Sequence, residues 1–207
     1  MSMPFTLPVV GFAARSGTGK TTLLSHLIPL LNERGFKIGL IKHSHHDFDI
    51  DQPGKDSYRL RKAGASPVVL VSSHRRAVIT ELPGAEPTLA EQLYCFSNTD
   101  VDLVIVEGFK QEAFAKIELH RAELNNPLLH TTDTSIIAIA SDSKLSVNIP
   151  CLDINKPEQV ADFIIQQFLN TRAWLTHAPA RNYWRLSKRL SVFLMHRTPR
   201  LVMSELI

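Results

Sequence analysis

Apolar runs alternate with amphipathic segments along this chain, and the alternation predicts an α/β fold. Four continuous apolar runs are typical of strands buried in a parallel sheet. They are Val9–Ala14, Lys37–Lys42, Asp102–Glu107 and Ser135–Ala140. Helical periodicity or helix-start signals occupy four other segments. These are Thr21–Arg34, Lys55–Ala63, Thr88–Phe96 and a helix that opens at Pro157 and runs past Phe168. The order favours a mostly parallel, twisted sheet with helices on both faces.

Two further apolar segments predict a short antiparallel hairpin within this fold. The strands Pro67–Ser72 and Arg75–Glu81 are separated only by Ser73-His74, which is typical of a tight turn. Lys116–His120 is predicted as one more short strand. A single domain therefore spans residues 1–171 in this interpretation.

Charge and aromatic content change abruptly after residue 171. Residues 172–207 hold seven Lys or Arg residues against one acid, although the whole chain carries a net charge of only +3. Trp174, Tyr183, Trp184 and Phe193 lie among these bases. We interpret the segment as a basic, aromatic extension that is either an amphipathic helix at a partner or anionic surface, or partly disordered.

The rest of the composition excludes several classes of protein. No apolar run approaches the roughly 20 residues that a membrane-spanning helix needs, and the N-terminus lacks the features of a secretory signal. We expect a cytoplasmic protein with no membrane span and no nucleic-acid partner. Cys95 and Cys151 have no metal-like spacing, and we expect both thiols to be buried.

A phosphate-binding loop is the strongest chemical signal in the chain. The stretch "AARSGTGKTTLL" follows the first predicted strand and enters the first predicted helix. Such a loop turns backbone N–H groups toward an anion at a helix N-terminus, and a lysine reaches the outer phosphates. The binding residues predicted here are Ser16, Gly17, Thr18, Gly19, Lys20, Thr21 and Thr22. Ala14 replaces the usual first glycine, which is tolerable if that residue keeps an extended backbone.

An acid at the end of a buried strand would complete a nucleotide site. Glu107 ends the run "DLVIVE", and Thr21 begins the helix after the loop. We expect Thr21 and Glu107 to hold Mg²⁺, with Lys20 and Glu107 acting in catalysis on a bound triphosphate.

A segment rich in histidine and aspartate follows the second predicted strand. It reads "KHSHHDFDIDQPG" from Lys42, and we interpret it as a loop that faces the phosphates or a second ligand. Lys42, His43 and Asp47 are the candidates for this contact. Zinc is a lesser alternative, because the spacing does not match a closed structural site. Arg59, Arg61 and Lys62 would either meet an anion or form a solvated helix face.

Together these motifs resemble the MobB-type molybdopterin-guanine dinucleotide biosynthesis proteins. The resemblance runs in order from Gly11 to about Phe168, through "GFAARSGTGKTTLL", "GLIKHSHHDFDIDQPGKDSYRLRKAGA", "DLVIVEGFKQEAFAKIELHR", "IIAIASD" and "LDIN". It implies a P-loop protein that binds GTP with Mg²⁺ and hydrolyses it weakly. It also implies a homodimer that assists the enzyme attaching GMP to molybdopterin, the molybdopterin guanylyltransferase, and that also meets molybdopterin-bearing proteins.

Guanine recognition is less clear from the residues. The common signature Asn-Lys-x-Asp is absent, since Asn155-Lys156-Pro157-Glu158 ends in Glu and Pro157 opens a predicted helix. Asp142, after the strand "SIIAIA", is the better candidate for accepting hydrogen bonds from guanine. The preference for GTP over ATP therefore comes from the resemblance.

Arg15 is a further candidate. Some dimeric P-loop proteins carry a lysine at this position that reaches the partner's phosphates, and Arg15 would neutralise transition-state charge in the same way. A surface arginine beside a polyanion is the alternative.

Two other functions use the same loop. A small-molecule kinase would need an arginine-rich lid. Residues 108–135 contain the bases Lys110, Lys116 and Arg121, which do not form a clear one. A non-catalytic adapter would bind nucleotide only to set its shape, and the sequence does not separate it from a slow GTPase.

Overall fold

The computed structural model describes residues 7–44, 48–84 and 86–170. These residues form two compact units, one from residues 43–94 and the other from the chain on either side. Three residues of the predicted ligand loop, His45, His46 and Asp47, lie outside the described residues. So does the basic extension predicted at 172–207.

The larger unit contains a sheet of six parallel strands. In chain order they are β1 (Val9–Ala14), β2 (Ile38–Lys42), β5 (Leu103–Glu107), β6 (Lys116–His120), β7 (Ile136–Ser141) and β8 (Cys151–Asp153). Their order across the sheet is β2-β5-β1-β6-β7-β8. The predicted mostly parallel α/β sheet with helices is confirmed. The parallel pairing also brings the carboxyl ends of all six strands to one edge of the sheet.

Two helices cover one face of this sheet. They are α1 (Lys20–Glu33) and α4 (Pro157–Ile164), the second of which continues into a π-helical turn over Ile165–Leu169. Leu27 and Leu31 of α1 and Ile164 of α4 are fully buried in one core with Val10 of β1. Burial of these apolar side chains is the main source of stability for the unit.

The opposite face of β1 is crossed by the segment that joins β5 to β6. A Cβ built on Gly11 would lie 2.6 Å from Cε2 of Phe114, so only glycine fits at this crossing. Lys116 is buried at the start of β6. Its ammonium donates to the Glu112 carbonyl at 2.7 Å and lies 3.0 Å from an Asp133 carboxylate oxygen. The buried cation therefore has full polar compensation and holds the crossing segment to the sheet.

The smaller unit contains α2 (Asp56–Lys62), an antiparallel hairpin of β3 (Val68–Val71) and β4 (Arg76–Ile79), and α3 (Leu89–Leu93). The hairpin prediction is confirmed. A 3₁₀ turn over Tyr94–Phe96 follows α3.

Arg61 is buried in the smaller unit, at the end of α2. Its guanidinium donates to Glu81 at 2.6 Å and to Asp49 at 2.5 Å. Arg61 therefore belongs to an internal ion-pair network, and its side chain is not free to meet an external anion as one interpretation of the sequence expected.

Two expectations from the sequence differ from the structure. The short edge strand β8 was not predicted, because three residues give too little periodicity to recognise. The expectation that both thiols are buried was wrong, since Cys95 and Cys151 are exposed. Cys95 lies in a 3₁₀ turn and Cys151 begins the edge strand, positions where an apolar neighbourhood in sequence does not produce burial.

No helix among the described residues is long and apolar enough to cross a membrane.

The close approach at Gly11 is testable. We expect Gly11→Ala to lower the free energy of unfolding by about 1–3 kcal/mol, because the new methyl group overlaps Phe114 and forces the crossing segment away. Chemical denaturation measures the change. Gly84→Ala is the matched control, since a Cβ there meets nothing within 4 Å. Equal stability of the two variants would contradict the packing described here.

Candidate functional site

The phosphate loop lies between β1 and α1, at the carboxyl edge of the sheet. Ala14 is the last residue of β1 and pairs with Leu119, so it keeps the extended backbone that a residue other than glycine requires. Gly17 and Gly19 have φ values of 80° and 92°, which favour glycine. Thr18 is buried, and its hydroxyl donates to the Arg15 carbonyl at 2.8 Å. The local sequence therefore builds a compact loop immediately before a helix N-terminus.

Phosphate chemistry at such a loop needs a lysine near an acid, and helix α1 and strand β5 supply them. Lys20 Nζ lies 3.6 Å from Glu107 Oε1, and Lys42 Nζ lies 3.8 Å from Glu107 Oε2. The register pairs Glu107 with Phe12 of β1 and with Lys42 of β2, which explains why the three charges converge. The carboxylate is 17% exposed, so it stays accessible at the edge of the sheet. Two cations around one acid leave a local excess of positive charge, which suits a polyanion.

The residues present also fit a magnesium ion held mainly by phosphate. Thr21 is exposed at the start of α1, and Glu107 lies beside Lys20 of the same helix. Within the described residues there is no group of three or more His, Cys, Asp or Glu side chains that would hold a metal alone. Mg²⁺ bound to a nucleotide needs no such group, because phosphate oxygens and water complete its shell.

A cleft of about 480 Å³ continues from the phosphate loop along α1. One wall consists of α1 residues, including Thr22 and His26. The other includes Arg121, which follows β6, and Asn155, which follows β8. Gly19 lies at the junction of loop and cleft, so a ligand with phosphates on the loop has room for its remaining part here.

Arg121 follows β6, and its side chain contacts residues that follow the next two strands of the sheet, β7 and β8. Its Nη1 lies 3.4 Å from Asp142 Oδ2 beyond β7, and its Nη2 lies 3.3 Å from Asn155 Oδ1 beyond β8. The backbone N–H of Ala122 donates to Asp142 Oδ1 at 2.9 Å. This backbone bond, followed by the Arg121 guanidinium, lowers the pKa of Asp142 although partial burial opposes the shift. Asp142 is therefore a firmly ionised acceptor at this edge.

The structure brings only some of the predicted site residues together. The loop residues, Lys42 and Glu107 share one part of the sheet edge, and Asp142 lies beyond β7 at the same edge. Arg15 and Ser16 are exposed on the loop. His43 belongs to the smaller unit, where its Nε2 contacts Glu86.

Sequence reasoning missed the cleft and its polar walls. In the sequence Arg121 stands out only as one of three bases between 108 and 135, and Asn155 only as part of an incomplete guanine signature. One signal was available, since both residues follow predicted or observed strands at their carboxyl ends, where ligands bind in open α/β sheets. The meeting of the two side chains required the strand order.

Comparison with known sequences assigns this chain to a family. The sequence model of the family described as "MobB: Molybdopterin guanine dinucleotide synthesis protein B" matches residues 9–142. The Escherichia coli (strain K12) protein named "Molybdopterin-guanine dinucleotide biosynthesis adapter protein" is 49% identical over 162 residues, which cover 77% of this chain and 93% of the relative. A Haemophilus influenzae protein of the same name is 44% identical over 173 residues, covering 83% of this chain and 91% of the relative.

Solved structures agree on the fold. A crystal structure of "molybdopterin-guanine biosynthesis protein B (mobB)" superposes with a TM-score of 0.60 at 26% identity, covering 76% of this chain and 98% of that one. A crystal structure of Bacillus subtilis MobB gives a TM-score of 0.64 at 22% identity, covering 80% of this chain and 100% of the other. The family model matches most of the described residues, and the chain covers most of the length of both named relatives. The chain therefore belongs to the MobB family.

Proposed function

We propose that this protein is a GTP-binding adapter in the synthesis of molybdopterin guanine dinucleotide, with slow Mg²⁺-dependent GTP hydrolysis. The observation that carries the proposal is the convergence of Lys20, Lys42 and Glu107 beside the phosphate loop. Membership of the MobB family and the names of its relatives supply the pathway. The proposed setting is the cytoplasm, and the proposed partners are a molybdopterin guanylyltransferase and molybdopterin-bearing proteins.

Each polar group of the phosphate site would have a separate task. The backbone N–H groups of the loop and the Lys20 ammonium would bind the β- and γ-phosphates. Thr21 and Glu107 would hold Mg²⁺, which neutralises charge on the phosphate oxygens when bound. Glu107 would also orient an attacking water. The loop residues Ser16 to Thr22 would fix the phosphate chain, and Lys42 would add positive charge at the outer end.

The guanine base would lie in the cleft beside α1. This position follows from the phosphates, because the cleft opens at Gly19 and continues past Thr22. Asp142 would accept from guanine N1–H and N2–H₂, as an ionised carboxylate at the carboxyl end of β7. The pattern of donors and acceptors would then favour GTP over ATP.

The competing kinase function receives no support from these residues. Of the three bases between 108 and 135, Lys116 is buried in contacts with Glu112 and Asp133. A phosphoryl-transfer lid needs arginine or lysine side chains that close over the substrate. A buried lysine cannot serve in this way, and Lys110 and Arg121 alone do not make an arginine-rich lid, so the adapter is the better proposal.

A homodimer is part of the proposal, and the hairpin offers a surface for it. Val69, Val71 and Val78 lie on one face of the β3–β4 hairpin, since Val69 pairs directly with Val78. They are 55%, 76% and 54% exposed. Adjacent exposed valines on a two-stranded ribbon are typical of an interaction site. A role for the exposed Arg15 at the partner's phosphates is a separate part of the proposal and does not depend on the hairpin.

Loss of the loop lysine tests the phosphate site. We expect Lys20→Ala to reduce affinity for GTP–Mg²⁺ at least about 100-fold by calorimetry, because a charge-assisted contact to the phosphates disappears. Lys37→Ala is the matched control, since Lys37 pairs with Asp100 at the opposite edge of the sheet. Unchanged affinity in folded Lys20→Ala protein would remove the basis of the proposal.

Glu107→Gln separates binding from hydrolysis. We expect GTP hydrolysis to fall about ten-fold or more, because the metal and water lose a carboxylate. GTP affinity should fall much less than hydrolysis, since Lys20 and the loop still bind the phosphates although Mg²⁺ loses one ligand. Single-turnover hydrolysis and calorimetry measure the two effects, with the exposed Glu123→Gln as control. Parallel losses in both measurements would refute the assigned role.

A charged substitution in the valine face of the hairpin tests the proposed dimer surface. We expect Val71→Lys to raise the dimer dissociation constant about ten-fold or more in sedimentation equilibrium, because a lysine must be desolvated in the apolar contact. Ser73→Lys places the same charge two residues further along, at the exposed turn, and serves as control. A wild-type protein that sediments as a monomer at micromolar concentration would rule out the surface.

A further inference from the structure

We propose that Arg121 competes with the guanine base for the acceptor Asp142, and thereby limits the preference for guanine over adenine. The inference rests on the proposed function, because it concerns the base-binding end of the same nucleotide site. It gives Arg121 a role in specificity that differs from holding the protein together.

The position of Arg121 requires such a competition. Among the described residues that line the cleft are Arg121 and Asn155, but not Asp142. Asp142 lies next to the guanidinium, with its Oδ2 3.4 Å from Arg121 Nη1. A base in the cleft that accepts Asp142 as its partner therefore takes the place of the Arg121 contact with Oδ2.

The two donors are chemically alike. A guanidinium presents adjacent N–H groups in one plane, and the Watson–Crick edge of guanine presents N1–H and N2–H₂ in the same way. Both suit a carboxylate that accepts two hydrogen bonds. Adenine lacks this pair of donors, because its N1 is an acceptor. Guanine can therefore take the place of the single Arg121 contact at Asp142 Oδ2, whereas the N1 atom of adenine cannot donate to a carboxylate.

The contacts that Arg121 makes are weak enough to exchange. Its distances of 3.4 Å to Asp142 and 3.3 Å to Asn155 exceed the usual range for N–H···O bonds, and its side chain is 27% exposed. By contrast, the bond from Ala122 N–H to Asp142 is 2.9 Å. Departure of Arg121 would leave the carboxylate oriented by the backbone and ready to accept from a base.

A second position for the guanidinium lies close by. A Cβ built on Gly19 would be 3.9 Å from both Nε and Nη2 of Arg121, so the cation already lies against the phosphate loop. A triphosphate on that loop offers negative charge in place of Asp142. After the exchange, Arg121 pairs with the triphosphate and Asp142 pairs with the base. Binding of phosphates at the loop therefore favours the release of Asp142 for the base.

The experiment is calorimetric titration of wild-type protein and Arg121→Gln with GTP and with ATP, each with Mg²⁺. We expect the ratio of GTP affinity to ATP affinity to rise about two- to five-fold in Arg121→Gln, because guanine no longer competes with the Arg121 side chain for Asp142. The rise is small because an exposed ion pair of this kind contributes little free energy. The ratio cancels any loss of phosphate attraction that both nucleotides share. In the double variant Arg121→Gln/Asp142→Asn the gain should disappear.

Arg34→Gln is the matched control, because Arg34 also pairs with a carboxylate, that of Asp162, away from the cleft. Its ratio should equal that of the wild type. A lower ratio in Arg121→Gln would mean that Arg121 orients the acceptors, and an unchanged ratio that it does not affect base choice; either overturns the inference while the proposed function stands. If wild-type protein binds neither nucleotide, the proposed function itself fails.

Discussion

Parallel pairing of β1 between β5 and β6 is the constraint on which the candidate site depends. A parallel sheet puts the carboxyl end of every strand at the same edge, so residues far apart in the chain become neighbours. The phosphate loop leaves β1 there, Glu107 ends β5, and Arg121 follows β6. A change of register by one residue would turn Glu107 to the other face of the sheet and remove the acid from Lys20.

That pairing depends on contacts at the back of the sheet. The connection from β5 to β6 crosses β1 without a helix, and Gly11 allows Phe114 to pass within contact distance. Two buried charges on β6 are fully engaged. Lys116 binds the crossing segment, and the Glu118 carboxylate accepts from the backbone N–H groups of Leu129 and His130 at 2.6 and 2.9 Å. Removal of either charge would leave buried polar groups without hydrogen-bond partners. These contacts therefore fix the path of the loops near the site.

The two compact units divide the proposed tasks. The larger unit carries the phosphate loop, the acid and the cleft, while the smaller unit carries the exposed valine face of the hairpin and the Arg61 network. An adapter needs both a nucleotide site and a surface for other proteins. In the smaller unit the buried Arg61 has three acidic neighbours within 4 Å, so its charge is compensated inside the unit.

The amino-acid sequence by itself determined the local parts of this protein. The buried strands, the hairpin and the phosphate loop follow from apolar runs, turn residues and glycines at positive φ, all of which act within a few residues. The cleft and the contacts of Arg121 with Asp142 and Asn155 were decided by tertiary structure. They depend on β6, β7 and β8 being neighbours, and on a three-residue strand at the sheet edge. The exposure of Cys95 and Cys151 has the same origin, because burial is a property of packing and not of the residues beside a side chain in the chain.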